Sequence, residues 1–244
     1  GTSYGVPMIG CGCRVCTSGD TRNVRYRSAV LIRSGKTRVL IDCPQELRLQ
    51  LLSAGVDRID AVLVTHSHAD HVFGLDDLRI FVNRTETPVP FYARPQVIES
   101  VGRSFSYIFD RPHINYGLPR FSFQEIGGPF QIDGLSFTPV PVMHGKEMIN
   151  GFRFETAAYI TDCSQIPDTS FSLLKGLDVL VLNALRPEPH PTHFCLEQSL
   201  EAAARIGARQ TFFTHMSHDM DFEEVSRRLP RNVHLAYDGL SIRI

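Results

Sequence analysis

Hydrophobic and polar positions change period repeatedly along the 244 residues, and the changes mark alternating strands and helices. Two alternating stretches, Arg27 to Ile32 and Arg38 to Ile41, flank Ser34-Gly35 and predict a hairpin. Apolar spacing at Leu47, Leu51 and Leu52 predicts a helix from Gln45 to Ala54, stopped by Gly55. The unbroken apolar run from Ala61 to Val64 predicts a strand buried on both faces. A short helix from Leu75 to Val82 follows, then a strand around Pro88 to Tyr92. Pro95 to Phe105 predicts a helix with proline in its first turn. Ser106 to Phe123 is aromatic and irregular, either a loop packed by its own rings or a wall facing a substrate, with His113 at the surface.

The alternation then resumes. Phe137 to Val142 predicts a strand, Phe152 to Phe154 with Ala157 to Ile160 a hairpin, and Leu177 to Leu182 another buried strand. Leu196 to Ile206 predicts a helix with Cys195 at its N-cap and Gly207 as its stop. Thr211 to Thr214 predicts a strand. Asp221 with Glu224 predicts the cap of a last helix, which Pro230 ends, and Asp238-Gly239 a turn into a closing strand from Leu240 to Ile244. No repeat and no linker interrupts the pattern, so one α/β domain over 1–244 is expected.

Candidate chemistry gathers where strands end. The run Ala61 to Val64 leads within a few residues to His66, His68, Asp70 and His71. Imidazole and carboxylate suit Zn, Mn or Fe, and a rigid strand fixes the origin of a loop that aims them. This spacing predicts a metal site. Other strand ends carry Asp42, His144, Asp162 and His215. Near the start, Cys11, Cys13 and Cys16 place three thiols in six residues, enough to face one tetrahedral ion if a fourth ligand comes from elsewhere. His190 and His234 read as solvent-exposed.

Composition narrows the classes without choosing among them. The chain is 43% hydrophobic and 21% charged, and its formal net charge of −1 gives no global basic field for nucleic acid. No apolar run is long enough to span a bilayer. The six cysteines are not spaced as a secreted disulfide framework, so a cytoplasmic location is expected.

The pattern His66-x-His68-x-Asp70-His71 resembles that of the metallo-β-lactamase-fold hydrolases. The resemblance implies a four-layer αββα sandwich. It implies that His66, His68 and His144 hold one divalent ion, that Asp70, His71 and His215 hold a second, and that Asp162 bridges them. Two such ions, Zn or Mn, would share a hydroxide that attacks the substrate. Asp42 is implied to hydrogen-bond a metal ligand. Three departures stand out. Family members open with a short strand and a Gly-Thr-Gly-Thr-Ser turn, whereas this chain begins Gly1-Thr2-Ser3, so a first strand is expected to be missing. Cys43-Pro44-Gln45 replaces the usual Cys-Gly-Pro, and Asn183 stands where Asp is common.

A narrower resemblance covers nearly the whole chain. Gly-Thr-Ser-x-Gly-Val-Pro-x-x-Gly-Cys-x-Cys-x-x-Cys, then Thr-His-Phe-Cys and Thr-His-Met-Ser-His, are similar to the PhnP family of phosphodiesterases of the carbon–phosphorus lyase pathway. It implies a structural zinc on Cys11, Cys13, Cys16 and His218. It also implies that His193 contacts the phosphate or protonates the leaving oxygen; a capping contact at the following helix is the other reading. The expected function is therefore a binuclear metal-dependent phosphodiesterase acting on a small cyclic or nucleotide-like phosphodiester, with catalysis resting on Asp70 and His193. Its partner would be that small molecule, with no nucleic acid and no membrane, as a monomer or homodimer. A ribonuclease Z-like tRNA endonuclease and a lactone or thioester hydrolase are the alternatives. No long basic arm favours the former, and a dead scaffold would not keep every ligand position filled.

Overall fold

The computed structural model describes residues 1–85, 87–109 and 118–244. The chain divides into two compact units, Ala29–Leu135 on one hand and Gly1–Ser28 with Ser136–Ile244 on the other.

In the unit Ala29–Leu135, five strands pair in chain order: β1 (Val30–Ser34), β2 (Thr37–Ile41), β3 (Ala61–Leu63), β4 (Val89–Ala93) and β5 (Phe121–Glu125). The first pair is antiparallel and the rest parallel. Every residue of β3 is buried, as a central parallel strand requires. Helices α1 (Leu47–Ser53), α2 (Ala69–Val72), α3 (Arg79–Thr85), α4 (Pro95–Ser104) and α5 (Ser106–Phe109) connect the strands, and β6 (Phe130–Ile132) follows β5. The core packs Leu47, Val62, Leu75, Leu78 and Phe91 together. Helix α1 begins two residues later than its apolar spacing predicts, because Gln45 and Glu46 are spent on a turn closed by Leu47 N–H on the Pro44 carbonyl, 3.0 Å. The stretch predicted as irregular holds α5 and the start of β5 at its two ends, where the rings of Phe121 and Phe123 both pack on Phe91. Residues 110–117, which include His113 and Tyr116, lie outside the described residues.

The turn after β2 does close without a glycine of its own, and a distant glycine makes this workable. Gly74 N–H donates to the Cys43 carbonyl at 2.8 Å, and Cys43 N–H donates to the His71 carbonyl at 2.7 Å. A Cβ on Gly74 would lie 2.0 Å from the Pro44 carbonyl oxygen and 2.8 Å from Leu47 Cβ. The missing side chain lets the Asp42–Pro44 turn lie directly on the His71–Gly74 segment.

In the other unit, β7 (Leu135–His144), β8 (Glu147–Phe154) and β9 (Ala157–Ile160) form an antiparallel meander. Then β10 (Val179–Asn183), β11 (Gln210–Thr214) and β12 (Val233–Leu235) add in parallel to β9. Because β7 and β9 each run antiparallel to β8, they point the same way. The C-terminal ends of β7, β9, β10 and β11 therefore share one edge, which carries His144, Asp162, Asn183 and His215. Helices α6 (Asp168–Phe171), α7 (Leu196–Ile206) and α8 (Phe222–Ser226) complete this unit. Helix α7 has the predicted bounds, and Gly207 ends it with φ 71°. The core is built on Val140, Ile160, Leu180, Leu182 and Phe213. One expectation needs correction. No strand forms over 240–244, and the strand that does close this edge, β12, is three residues long, too short for its alternation to show.

No helix among the described residues is long and apolar enough to cross a membrane.

Gly74→Ala is expected to destabilise by about 1–3 kcal/mol, since the clash is with backbone that cannot yield cheaply. Urea unfolding read as a shift in midpoint at constant slope measures it. An unchanged midpoint would contradict the close approach.

Candidate metal centres

Three of the candidate residues sit in left-handed backbone one or two residues past a strand: Asp42 at φ 65°, Asp162 at φ 52° and His215 at φ 55°. Asp and His tolerate this region better than most residues, yet it still costs on the order of 1–3 kcal/mol each. Such a turn throws the side chain across the strand end instead of continuing the pleat.

In the unit Ala29–Leu135, Asp42 organises the loop that carries His66, His68, Asp70 and His71. It is fully buried and accepts from Thr65 N–H at 2.8 Å and from the Thr65 hydroxyl at 2.9 Å. Its Oδ2 lies 2.8 Å from His71 Nδ1. Burial pushes the Asp42 carboxyl above its usual range, and His71 opposes that shift. With Nδ1–H directed at Asp42, His71 presents Nε2 as its ligand atom, 3.4 Å from Asp70 Oδ2. His66 is buried and His68 exposed, and their Nε2 and Nδ1 atoms lie 3.1 Å apart. Two nitrogens bound at about 2.0–2.1 Å to one tetrahedral ion would be about 3.4 Å apart, so the pair fits a shared ion.

Beyond α2, Phe73 is half exposed, and its ring meets Phe105 edge-on at 5.7 Å. The Tyr107 hydroxyl donates to Asp76 at 2.7 Å. Of these residues only Tyr107 belongs to the predicted aromatic stretch 106–123; Phe73 and Phe105 precede it.

In the other unit, Asp162 is the centre. It is 2% exposed, and the Thr161 hydroxyl donates to its Oδ2 at 2.6 Å. Its Oδ1 faces His193 Nε2 at 2.8 Å and His215 Nε2 at 3.2 Å. The His193 and His215 rings stack at 5.0 Å with 14° between planes. His144, at the end of β7, lies with Nδ1 2.8 Å from the Thr192 carbonyl, which fixes Nε2 as its ligand atom. Gly145 makes that approach possible, because a Cβ there would come within 2.9 Å of Thr192 Cγ2. His144, Asp162 and His193 offer ligand atoms all within 4.8 Å of one another.

His193 does not cap α7. Gln198 Oε1 does, accepting from Cys195 N–H at 3.0 Å. His190 is not solvent-exposed as read from the sequence. It is half-buried, with Nδ1 3.2 Å from both His193 Nδ1 and the Thr192 hydroxyl, and burial lowers its pKa. His234 is also half-buried, over the Phe212 ring at 5.2 Å. Asn183 is explained by its neutrality: it accepts from Cys163 N–H at 2.8 Å and donates to the Cys163 carbonyl at 3.2 Å. An ionised Asp could accept but not donate, so the amide suits the residue that follows Asp162.

The thiols form a third centre. His218 Nδ1 lies 3.2, 3.4 and 3.6 Å from the sulfurs of Cys11, Cys13 and Cys16. A sulfur at about 2.3 Å and a nitrogen at about 2.0–2.1 Å from a tetrahedral zinc are about 3.5 Å apart, so the three nitrogen–sulfur distances fit a shared zinc. Cys16 N–H points at Cys13 sulfur, which above all lowers the Cys13 pKa to about 6, whereas burial raises Cys16 to about 11. Sequence reasoning missed Arg25 and Asn23, which bind the chain around this centre; a buried arginine in a polar stretch leaves no periodic signal.

In metal-stripped protein at pH 7, iodoacetamide is expected to alkylate Cys13 well before Cys16, since the thiolate is the nucleophile. Peptide mapping by mass spectrometry reads the order, and equal rates would contradict the amide-to-sulfur assignment.

Residues 37–216 match the Beta-lactamase superfamily domain. The structure of a new diphosphatase from the PhnP family superposes with a TM-score of 0.94 at 42% identity, over 100% of this chain and 94% of that one. A Porphyromonas gingivalis protein named octanoyltransferase is 39% identical over 246 residues, which cover 98% of this chain and 49% of that protein. The chain thus spans about half the length of that relative. A ribonuclease Z of Mycobacterium is 27% identical over 242 residues, covering 86% of this chain and 83% of that one. The chain belongs to the beta-lactamase superfamily, has the metallo-β-lactamase fold, and is related to the PhnP-family diphosphatase and to ribonuclease Z.

Proposed function

We propose that the protein is a metal-dependent phosphodiesterase acting on a small cyclic or nucleotide-like phosphodiester. The observation that carries this reading is His193, buried and held with Nε2 2.8 Å from the Asp162 carboxylate. An alkoxide is a poor leaving group, and a positioned imidazolium beside the reacting centre can protonate it. His190 and Thr192 meet the other nitrogen of His193 at 3.2 and 2.9 Å and fix the ring's orientation. The PhnP-family relative at 42% identity supports a phosphorus substrate.

His66, His68 and His144 would hold one divalent ion, Asp70, His71 and His215 a second, with Asp162 shared, and Zn or Mn suits these donors. When bound, such a pair supplies an activated water and neutralises charge on phosphoryl oxygens. Asp70 belongs to the catalytic set through that role, and Asp42 orients His71 for it. Cys11, Cys13, Cys16 and His218 would hold a structural zinc. The whole of 1–244 is read as one hydrolase domain. We place it in the cytoplasm, where six free cysteines stay reduced. The substrate is a small molecule, because a formal net charge of −1 supplies no electrostatic hold on a polyanion.

A second reading has one observation in its favour: that same relative is described as a diphosphatase, so a phosphoanhydride is the next substrate to try. Lactone, thioester and tRNA substrates complete the comparison.

With Mn or Zn, bis(p-nitrophenyl) phosphate is expected to turn over while a lactone and a thioester do not; acyl turnover alone would overturn the phosphodiester reading. His68→Ala is expected to abolish turnover with the fold intact by circular dichroism. His193→Ala is expected to cost about 10²–10⁴ in kcat on an alkyl leaving group and little on p-nitrophenolate, which needs no proton. Equal losses on both would remove His193 as the acid.

A further inference from the structure

The four ligands of the thiol centre come from two arms about two hundred residues apart in sequence, and Arg25 touches the chain on both. Arg25 pairs its backbone with Val6, just ahead of the thiols: Val6 N–H donates to the Arg25 carbonyl at 2.9 Å, and Arg25 N–H to the Val6 carbonyl at 2.8 Å. The residue is only 2% exposed, and its guanidinium reaches the other arm. There Nη1 donates to the Ser217 carbonyl at 2.9 Å and Nη2 to the Met220 carbonyl at 2.6 Å, so the two bonds bracket His218. Nη2 also donates to Asn23 Oδ1 at 2.9 Å. Asn23 in turn donates to the Ser18 hydroxyl at 3.2 Å, on the thiol arm, and accepts from Phe222 N–H at 2.9 Å, on the histidine arm.

We propose that Arg25 is a positioning residue that sets both the metal affinity of the Cys11–Cys13–Cys16–His218 centre and the placement of His215. None of the four ligands takes part in the frame that Arg25 and Asn23 build, so the frame holds them in place from outside. The link to His215 is short. Ser217, whose carbonyl Arg25 holds and whose N–H donates to the Leu185 carbonyl at 2.8 Å, lies two residues past His215. His215 is in left-handed backbone, where a small shift of its neighbour redirects the side chain. Arginine is specifically suited: its planar fork serves two carbonyls and an amide oxygen at once, whereas a lysine ammonium is a compact point donor that cannot span them. Burial lowers the Arg25 pKa to about 10, which still leaves it charged at neutral pH. Three thiolates and a histidine on Zn²⁺ would carry a net negative charge, and Cys16 interacts electrostatically with the Arg25 guanidinium. The part concerning His215 rests on the phosphodiesterase reading; the part concerning the thiol centre does not.

The test is Arg25→Lys in the full chain loaded with cobalt. Thiolate-to-cobalt charge-transfer absorption reports the thiol centre alone, because the other candidate ligands are His and Asp. On challenge with EDTA, this band is expected to decay about 10–100-fold faster than in the wild type, the range typical when a residue behind the ligands is lost. Phosphodiester kcat is expected to fall about tenfold or more with KM unchanged. If Arg25→Lys does not fold, Asn23→Ala, which spares both carbonyl contacts, is expected to show the same two changes at smaller size. Wild-type decay and wild-type kcat in a variant whose melting temperature has dropped would overturn the proposal, leaving Arg25 a stabilising residue only. A wild-type chain inert to phosphodiesters would overturn the functional reading, and the cobalt band would then decide Arg25 by itself.

Discussion

A carboxylate taken out of water beside imidazoles is the constraint on which the candidate chemistry depends. Asp162 is almost wholly buried, and one of its oxygens faces both His193 and His215. Burying a carboxylate costs several kcal/mol unless opposite charge and hydrogen bonds offset it. Here the Thr161 hydroxyl and two imidazoles surround it, and a divalent cation would supply the rest. Asp42 meets the same constraint in the unit Ala29–Leu135, answered by Thr65 and His71. Each buried acid is thereby tied to a histidine whose other nitrogen, or whose neighbour, is a candidate ligand.

The fold makes this arrangement affordable in conformational terms. Parallel strands end together, so a single sheet edge gathers His144, Asp162, Asn183 and His215 from segments separated by tens of residues. Left-handed backbone at Asp162 and His215 aims the side chains across that edge. Small residues clear the paths: Gly145 admits Thr192, and Gly74 admits Pro44. Binding residues mounted on strand ends inherit the rigidity of the sheet, which loop residues alone would lack.

Much of this was legible in the sequence. The continuous apolar run before His66 announced a buried parallel strand, and α7 was bounded correctly because its apolar period and Gly207 agree. The ligand-type residues were visible because they stand at the ends of such runs. What stayed hidden was long-range or short-range in ways periodicity cannot see. Strand β12 has three residues, and β5 lies in a stretch whose aromatics follow no clean alternation. His190 looked like a surface residue because its proline-flanked stretch carries no sign of the contact with His193. Arg25 and Asn23 are polar residues in a polar stretch, and only the arrival of Ser217, Met220 and Phe222 gives them their roles. Asn183 looked like a missing charge until both of its hydrogen bonds to Cys163 showed why an amide belongs there.

The central proposal is that His66, His68, Asp70, His71, His144, Asp162 and His215 would hold two ions and the thiols a third. Anomalous diffraction from a crystal of the zinc-loaded protein, recorded on both sides of the zinc edge, tests it most directly. Three peaks are predicted: one among Cys11, Cys13, Cys16 and His218, one on His66, His68 and His144, and one on Asp70, His71 and His215, with Asp162 touching both of the latter. A thiol peak alone, with none at the histidines and aspartates, would contradict it.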